Sequence, residues 1–477
     1  MKKIVFQLLG FLLCFCMLYK PQRVLAEEQS YVVDTKDNLV PIPKSYTAWG
    51  SIKNLGETGF MNHPEDLFID KDGYLYVADT ENNRIIKMDR NGKVYSVYTE
   101  AFGNTFKKPK GVYVHSDGTI WIADSGNLRI VVIDQNGNDV KSFGKPESSL
   151  LDSSFTFDPE KIFVNSMGYI YALKGANLMS LDQQNDFHGY IGASKVGFSL
   201  NRLFIRMFGS QSQIERTLKQ EPTSYSNFLI ANDGMIYGVL ATETSNQIRR
   251  LNSVGNNTYP VGTYGLTIEM EGKQELVEPF FADLAVADNG IISLIDKNTG
   301  LLYQYDQQGN LLAAFGGLGD YEGVYQIPVS IAVDAEGFLY VLDYSSNSIT
   351  ILEPTEFIRL VHQAVTYHEN GEYDLAREYW QKVLTIDSNY ALAHKGIAKV
   401  LGKEENWLGA LNEYRIADDK VGFSKAYSEF RHEYFRNNFT LVVAFISIGL
   451  FSFFKFFWFI KKKASDWAKS IEFGGDL

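Results

Sequence analysis

The amino-acid sequence predicts a mainly β protein: a six-bladed β-propeller, followed by a small α-helical domain and one transmembrane helix. Three observations lead to this prediction. A phrase of short strands recurs six times between residues 45 and 354. The apolar spacing then changes from alternation to a period of about 3.6 residues. A run of 22 apolar residues follows near the C-terminus.

The first 26 residues indicate a secretory signal peptide. A basic start and a short apolar run precede Val24 and Ala26, which suit cleavage before Glu27. A retained N-terminal anchor is disfavoured, because the run is shorter than the roughly 20 residues that a membrane span needs. Both cysteines, Cys14 and Cys16, lie in this segment. The mature chain therefore has no disulfide, cysteine metal site or cysteine nucleophile. Residues 27–44 are interpreted as a linker.

Each copy of the repeat contains a glycine directly before a strand. These glycines are Gly73, Gly118, Gly168, Gly234, Gly290 and Gly337, at spacings of 45, 50, 66, 56 and 47 residues. In the first copy, "LFIDKDGYLYVAD" is strand, Asp-Gly turn and strand, and a second hairpin surrounds Asn91-Gly92. Four strands at this period form a propeller blade. The sixth copy lacks its outermost strand, and we expect Ser45 to Ile52 ("SYTAWGSI") to supply it and close the ring.

The repeat resembles a known family. A proline, a strand, Asp-Gly, "YVAD", "NNRI" and "D-x-N-G" follow one another as in NHL repeats, which build six-bladed propellers. The resemblance covers Ser45 to Pro354. It implies a fold and leaves the activity open, because the family includes binding modules, lyases and lactonases.

Residues 355–436 are predicted to be helical. Two amphipathic helices surround Asn370-Gly371, and a closing helix is expected at Phe423–Phe435. Small and large residues recur at a spacing of 34: Ala376, Trp380 and Val383, then Ala410, Tyr414 and Ala417. This pattern resembles tetratricopeptide repeats, although Ser388 replaces the usual terminal proline. Two roles remain open: a groove for a partner, or a spacer packed against the propeller.

Residues 437–460 are predicted to span a membrane, because the run is long enough and Lys455 is its only charge. Lys461, Lys462 and Lys463 place its C-terminal end and the tail 461–477 in the cytoplasm. A buried helix of a soluble domain is disfavoured, because so uniform an apolar surface needs a large surrounding core. The ectodomain, without signal peptide, span and tail, has 36 basic and 54 acidic residues, a net charge of −18. Such an acidic surface disfavours nucleic acid as a partner.

A histidine metal site is not expected. The NHL resemblance implies that lyases of this type hold a metal through histidines at equivalent positions of several blades. Here the propeller has His63, His115 and His188, and they occupy different positions in their repeats. The chain also lacks a nucleophile elbow, a phosphate loop and a dinucleotide fingerprint. A binding protein is therefore favoured over an enzyme.

Four aspartates are the candidate binding residues at one rim of the tunnel. Six residues after the repeat glycine stand Asp79, Asp124, Asp296 and Asp343, with Lys174 and Leu240 at the equivalent positions of the two other copies. A lactonase-like propeller binds a divalent cation such as Ca²⁺ in such a place. The alternative, which we favour, is that each aspartate supports the turn of its own blade. No cofactor is predicted otherwise.

The longest gap between copies contains a predicted helical insertion, at about residues 196–226. Leu203, Phe204 and Met207 follow helical spacing within it. Because the insertion connects two blades, it should lie at the same rim as the aspartates. It is either a lid or docking element that contacts a partner, or a segment that packs on the propeller without a binding role.

These observations favour a membrane-anchored extracellular scaffold, which binds a protein partner outside or within the membrane, as part of a larger envelope assembly. A bacterial cell surface is the expected location. The alternative is a propeller enzyme of the lactonase or lyase type, with a divalent cation at the tunnel rim.

Overall fold

The computed structural model confirms the predicted fold class: a six-bladed β-propeller followed by a helical region. It describes residues 29–36, 38–148, 151, 154–192, 223–268, 276–319 and 323–472. The predicted signal peptide, with Cys14 and Cys16, lies outside the described residues.

The first half of the chain contains two N-terminal strands, the strand that closes the ring, and blades one to three. In chain order these strands are β1 (Ser30–Val33), β2 (Leu39–Ile42), β3 (Tyr46–Ile52), β4 (Asp66–Ile69), β5 (Leu75–Asp79), β6 (Arg84–Met88), β7 (Val94–Tyr98), β8 (Glu100–Ala101), β9 (Asn104–Thr105), β10 (Gly111–Val114), β11 (Ile120–Asp124), β12 (Arg129–Ile133), β13 (Asp139–Phe143), β14 (Lys161–Val164), β15 (Ile170–Lys174), β16 (Asn177–Leu181) and β17 (Phe187–Tyr190). Blade one is β4–β7, blade two β10–β13 and blade three β14–β17.

The second half contains blades four to six. Its strands are β18 (Tyr225–Ile230), β19 (Ile236–Leu240), β20 (Ile248–Leu251), β21 (Phe281–Val286), β22 (Ile292–Asp296), β23 (Leu301–Tyr305), β24 (Leu311–Gly316), β25 (Pro328–Val333), β26 (Leu339–Asp343) and β27 (Ser348–Pro354). Blade four shows the three strands β18–β20 in the described part of the chain. Blade five is β21–β24, and blade six is β25–β27 with β3 outermost.

The ring closes as predicted. β3 pairs antiparallel with β27, with Ile52 opposite Ile349 and Tyr46 opposite Pro354. The last blade therefore contains strands from both ends of the propeller sequence, and its outer edge is paired.

The interpretation of residues 27–44 as a linker needs correction. β1 and β2 form a hairpin, and β1 lies against β24, with Tyr31 opposite Ala314. Blade five thereby becomes a sheet of six strands. The physical reason is that β24 presents an unpaired edge, which a short segment of four extended residues can cover.

The middle strands are buried on both faces, because each blade stacks on its two neighbours. All five residues of β5 are buried. The contacts between blades one and two include Tyr76, Ile85, Ile120 and Ile122. Such strands are continuous apolar runs rather than alternating ones. The turn before β5 needs Gly73, whose φ of 81° suits glycine.

Between residues 355 and 472, which the structure describes, six helices follow the propeller. They are α1 (Glu356–Glu369), α2 (Tyr373–Ile386), α3 (Ala391–Lys403), α4 (Trp407–Ile416), α5 (Lys420–Asn437) and α6 (Phe439–Glu472). Thr355 caps α1, because its hydroxyl accepts a hydrogen bond from the Ile358 N–H at 3.5 Å. The predicted closing helix is longer than Phe423–Phe435 at both ends.

The helical region is packed firmly against blades five and six. Phe357, Ile358 and Val361 of α1 are buried in the same apolar cluster as Ile331 and Leu352 of blade six. Polar contacts fix the register of this packing: the Tyr390 hydroxyl donates to the Leu312 carbonyl at 2.9 Å, and His362 Nε2 lies 3.0 Å from Gln304 Oε1. The propeller and the first helices therefore share one core.

α5 leads into α6 with almost no interruption. The Asn438 N–H donates to the Tyr434 carbonyl, and the Val442 N–H donates to the Asn438 carbonyl, each at 3.0 Å. Residues Phe439–Ala468 form one helix that is long and apolar enough to cross a membrane. The helix continues beyond the predicted end at residue 460, through the lysines 461–463, as far as Glu472.

We predict that Gly396→Ala destabilises the helical region. A Cβ at position 396 overlaps the indole ring of Trp380 on α2, which is itself buried. Moving a packed indole costs about 1–3 kcal/mol, which outweighs the helix propensity gained from alanine. The measurement is the midpoint of chemical denaturation of the full chain in detergent micelles.

Gly402→Ala on the same helix is the matched control. A Cβ at position 402 meets Trp407 at an ordinary 3.5 Å, so this variant should be neutral or stabilised by about 0.5–1 kcal/mol. Equal effects of the two substitutions would contradict the close contact between α2 and α3.

Candidate functional site

The rim aspartates each serve the turn of their own blade. Asp79 is fully buried at the end of β5. Its Oδ1 accepts from the Asn62 N–H at 2.7 Å, and its Oδ2 accepts from Asn82 Nδ2 at 2.9 Å and Arg84 Nε at 2.6 Å. The guanidinium of Arg84 also donates to the carbonyls of Thr58 and Phe60 in the segment that enters the blade. Asp79 thus joins a turn to the incoming chain.

The three other rim aspartates have equally complete shells. Their donors are Lys107 N, Asn127 Nδ2 and Arg129 Nε for Asp124; Phe280 N, Asn298 N and Thr299 Oγ1 for Asp296; and Gln326 N, Ile327 N, Ser345 N and Ser346 N for Asp343. In blade three the charge at this position is positive instead of negative: Lys174 replaces the aspartate, and its Nζ lies 2.8 Å from Asp158 Oδ1. These contacts support the turn role. Cation binding by the four carboxylates stays a prediction.

The propeller histidines have separate local partners. His63 Nδ1 lies 2.8 Å from Asn62 Oδ1, His115 Nδ1 lies 3.1 Å from Asp117 Oδ1, and His188 Nε2 lies 3.0 Å from Asp182 Oδ2. Within the described residues, no group of three or more His, Cys, Asp or Glu side chains is arranged to hold a metal ion. The insertion residues Leu203, Phe204 and Met207 fall in 193–222, outside the described residues.

A ring of equivalent residues around the tunnel axis was missed by the sequence analysis. Its members lie seven residues before each repeat glycine, at the first or third residue of the innermost strand. Its members are Asp66, Gly111, Lys161, Asn227, Asp283 and Ser330. The sequence contained a signal for this ring, because one position of the repeat is acidic in two copies and a lysine in a third. The ring was missed because repeats are recognised by identical residues at equivalent positions, and the residue types at this position differ from blade to blade.

The polar members of this axial ring contact one another inside the tunnel. Lys161 Nζ lies 2.5 Å from Asp66 Oδ1 and 3.9 Å from Asp283 Oδ2. The Ser330 hydroxyl donates to Asp283 Oδ2 at 2.7 Å and lies 3.4 Å from Asp66 Oδ1. The carboxylates also accept backbone N–H bonds from Val112 and Ile331. Strands from five blades are thereby joined at the axis.

The pKa shifts in the axial ring follow from burial and from the enclosed charges. Burial raises the pKa of Asp283, although the Lys161 ammonium opposes the rise. Burial also favours neutral Lys161, but the Asp283 and Asp66 carboxylates outweigh it and raise the pKa of the lysine. Lys161 therefore keeps its proton and is unsuited to act as an amine nucleophile. Its ammonium provides the positive charge between the two carboxylates.

Gly111 provides the space that Lys161 needs. A Cβ at position 111 would lie 2.5 Å from the Glu160 carbonyl oxygen and 3.1 Å from the Lys161 Cα. Cβ atoms essentially never lie as close to another atom as the first distance, and the second is tighter than most Cβ contacts. Glycine at this member of the axial ring therefore lets the innermost strand of blade three approach blade two.

The axial ring divides the tunnel into an upper and a lower cavity. The upper cavity, about 620 Å³, opens among the loops that carry the rim aspartates. Its charges neutralise one another, since Lys110 Nζ lies 3.0 Å from Glu160 Oε1 and 3.6 Å from Glu65 Oε2. Burial raises the pKa of Glu65, with Lys110 opposing.

The lower cavity, about 480 Å³, opens among the turns between the first and second strands of the blades. Its wall includes Phe68, Tyr113 and Phe163. The ring of Tyr113 lies 5.2 Å from that of Phe68 and 4.8 Å from that of Phe163, measured between centroids. The inner wall is thus aromatic and apolar, in contrast to the mixed charges of the upper cavity.

A third cavity, about 320 Å³, lies between the propeller and α1. Arg359, His362 and Gln363 of α1 form one side of it. The lower cavity and this interdomain cavity share five lining residues: Val286, Asp288, Val333, Asp334 and Ala335. The two cavities are therefore neighbours on either side of these shared turns, and together we call them the lower groove.

Buried hydrogen bonds fix the floor of the interdomain cavity. Burial lowers the pKa of His362 to about 3, so its imidazole is neutral when it contacts Gln304. Gln304 Nε2 in turn lies 3.0 Å from the Tyr46 hydroxyl and donates to Ser293 Oγ at 3.1 Å. Helix α1, blade five and the closing strand β3 meet in this network.

Comparisons with known proteins agree with the fold. The NHL repeat model matches residues 106–133, which span most of blade two. No curated protein matches the chain. Solved structures with a similar fold include virginiamycin B lyase from Staphylococcus aureus, at 13% identity over 69% of this chain and 89% of that chain, with a TM-score of 0.38. The WD40 propeller domain of Doa1 has 10% identity, over 65% of this chain and 98% of that chain, with a TM-score of 0.40. A protein of unknown function from Bacteroides caccae has 10% identity, over 64% and 98% of the two chains, with a TM-score of 0.37. Such values carry no argument about activity.

We predict that Lys161→Met destabilises the protein by about 3–5 kcal/mol at neutral pH, because two buried carboxylates lose their cation. The loss of stability should shrink toward about pH 5. Burial raises the pKa of the Asp283 carboxyl in the folded protein, and without Lys161 no other cation among the described residues opposes this rise. A carboxyl with such a raised pKa destabilises the fold when it is ionised, and this cost disappears as the pH falls and the carboxyl takes up a proton. Denaturation midpoints at the two pH values measure this effect.

Lys71→Met is the control for the axial lysine, because Lys71 is an exposed lysine at the mouth of the lower cavity. Its stability should match that of the wild type at both pH values. If the stability of Lys161→Met and of Lys71→Met changed with pH in the same way, the idea that Lys161→Met leaves an uncompensated charge at the axis would be refuted.

We predict that Asp79→Ala lowers stability by about 3 kcal/mol, because it leaves Arg84 and a buried N–H without their acceptor. Elemental analysis of the purified full chain provides the second measurement. Calcium or zinc in a 1:1 ratio, lost in Asp79→Ala or Asp343→Ala without a change in stability, would instead favour cation binding at the rim.

Proposed function

We propose that this protein is a membrane-anchored scaffold that binds a protein partner in the lower groove, which the propeller and the helices form together. The observation that carries the proposal is that the lower and interdomain cavities lie side by side and share the turns that carry Asp288 and Asp334. Clefts at domain interfaces are preferred binding places. A groove with walls from two domains also depends on their fixed arrangement.

The packing of the helices supports a binding role over a simple spacer. A spacer needs length and stiffness, whereas α1 buries Phe357, Ile358 and Val361 against the propeller and exposes Gln363 to the groove. The helices form two hairpins, α1–α2 and α3–α4, and we propose that these are tetratricopeptide-like repeats. Such repeats and NHL propellers commonly mediate protein interactions.

The sequence supports the topology of the proposal. An apolar helix suited to cross a membrane follows the last helix of the helical region, and three lysines lie at residues 461–463. With the predicted signal peptide, this arrangement supports a propeller outside the cell, and we propose a bacterial surface. An envelope assembly is a setting in which a protein with this topology would act.

The second candidate is a propeller enzyme of the lactonase or lyase type with a rim cation. It has less support, because the rim carboxylates have full hydrogen-bond shells inside their own blades, and the cation between the axial carboxylates is a lysine. The metal measurement described above separates the two candidates.

We predict that a photoreactive benzoylphenylalanine at position 363 cross-links to one specific protein in the membranes of the source organism. Gln363 is exposed and lines the lower groove. The control is the same amino acid at Val140, which is 54% exposed on the outer strand of blade two. Mass spectrometry identifies the adduct. No adduct at position 363, or the same adducts at both positions, would remove the support for a partner in the groove.

A further inference from the structure

The lower cavity has an unusual division between its wall and its mouth. Inside, the half-buried Phe68 and Tyr113 and the more deeply buried Phe163 present aromatic surface, with Leu229 and Ile331 beside them. Covering such surface is favourable, at roughly 25 cal/mol for each Å² that leaves water. The wall therefore suits an apolar side chain.

The mouth of the cavity is acidic. Four aspartates line it, and two more lie on equivalent turns between the first and second strands of the blades. The lining residues are Asp70, Asp72, Asp288 and Asp334, and the two others are Asp117 and Asp233. Arg250 pairs with Asp233, and Arg90 pairs with Asp334. In the described part of the chain, no basic side chain forms an ion pair with Asp70, Asp72 or Asp288. His115 Nδ1 lies 3.1 Å from Asp117 Oδ1, and Lys71 is a basic side chain at the mouth. Asp70, Asp72 and Asp288 still outnumber Lys71, so the mouth attracts positive charge.

The lower cavity has a closed end. Lys161, which lines both the upper and the lower cavity, is held at the axis by Asp66 and Asp283. A side chain that enters from below meets this cross-link and stops. The cavity is thus a socket rather than a channel.

We propose that the socket receives an apolar side chain of the partner, and that basic residues on either side of this side chain contact the acidic mouth. The proposal rests on the proposed function and names the chemistry of the partner: a basic polypeptide segment with an apolar anchor. Interfaces commonly combine a buried anchor in a pocket with a polar rim in this way.

A polypeptide fits the site better than a small cation does. Beyond the turns that carry Asp288 and Asp334 lies the interdomain cavity, which is lined by Arg359 and Gln363 on α1. This cavity leaves room for residues that flank the anchor. A small cation would use the mouth and leave the apolar wall exposed.

The test uses the full chain in detergent micelles and three fluorescent peptides of seven residues. Their central sequences are Lys-Phe-Lys, Glu-Phe-Glu and Lys-Ser-Lys, between Ser-Gly flanks. Fluorescence anisotropy should show the tightest binding for Lys-Phe-Lys. The two other peptides should bind at least about tenfold more weakly, since each lacks the basic flanks or the apolar anchor. Raising the salt from about 0.05 M to about 0.5 M should weaken the binding of Lys-Phe-Lys.

Two triple variants locate the binding. D72N/D117N/D288N removes three charges at the lower mouth and should weaken binding of Lys-Phe-Lys by about tenfold. E81Q/E243Q/E278Q removes three charges at exposed positions of the loops around the upper mouth and should leave the affinity unchanged. Both sets are exposed, and asparagine and glutamine keep the side-chain shape, so folding is preserved.

Three outcomes would overturn the proposal: equal binding of the three peptides, an unchanged affinity of the lower-mouth variant, or an equal loss in both variants. These results are distinct from failure of the proposed function. Cross-linking at position 363 that is unaffected by D72N/D117N/D288N would keep a partner in the groove and reject the basic anchor segment. Absence of cross-linking rejects the function itself.

Discussion

The pairing of β3 with β27 is the interaction on which the rest of the structure depends. It joins the two ends of the propeller sequence in one blade, and it also fixes where the helices begin. The Thr355 N–H donates to the Ser45 carbonyl at 3.0 Å, and the Thr355 hydroxyl donates to the Lys44 carbonyl at 2.7 Å. The residue that caps α1 is therefore tied to the strand that closes the ring. Opening the ring would displace the helices and remove one wall of the lower groove.

The axial ring also holds the propeller closed, through contacts between blades at the tunnel axis. Lys161 connects blades one, three and five through carboxylates that come from separate parts of the chain. A buried ion pair of this kind adds little net stability over an apolar packing, but it strongly penalises arrangements that separate the partners. Its contribution here is to specify which strands face the axis. It also closes the tunnel, so that the two mouths can differ in chemistry.

The sequence predicted those features that repeat or that depend on local periodicity. The repeat glycines gave six blades, and the composition of "SYTAWGSI" with the missing sixth outer strand gave the closure. The turn role favoured for Asp79 and Asp124 follows from the same reasoning, because a residue that recurs in several blades is best explained by a role inside each blade, and their hydrogen bonds support it. β1 and β2 were missed, since four-residue strands have no pattern of their own and form only against the available edge of β24.

The candidate site was harder to predict, because it consists of non-repeated residues at a repeated position. Asp66, Lys161 and Asp283 are separated by about a hundred residues each, and nothing local indicates that they meet. The lower groove is a stronger example of the same limit. The walls of its interdomain part come from blades five and six and from α1, and their contact depends on tertiary packing of Ile358 and Val361. Periodicity predicts elements, whereas such a groove is a property of how the elements dock.

The nearly unbroken passage from α5 to α6 has a consequence for how a partner is found. α5 has 18 residues and so extends for about 27 Å, with hydrogen bonds that continue through Asn438. If α6 spans the membrane as proposed, the groove is carried at a set height and with restricted tilt above the bilayer. A partner in the same membrane then searches in two dimensions, and only one whose own binding segment stands at a matching height can dock. Selectivity would arise from geometry before any side chain makes contact.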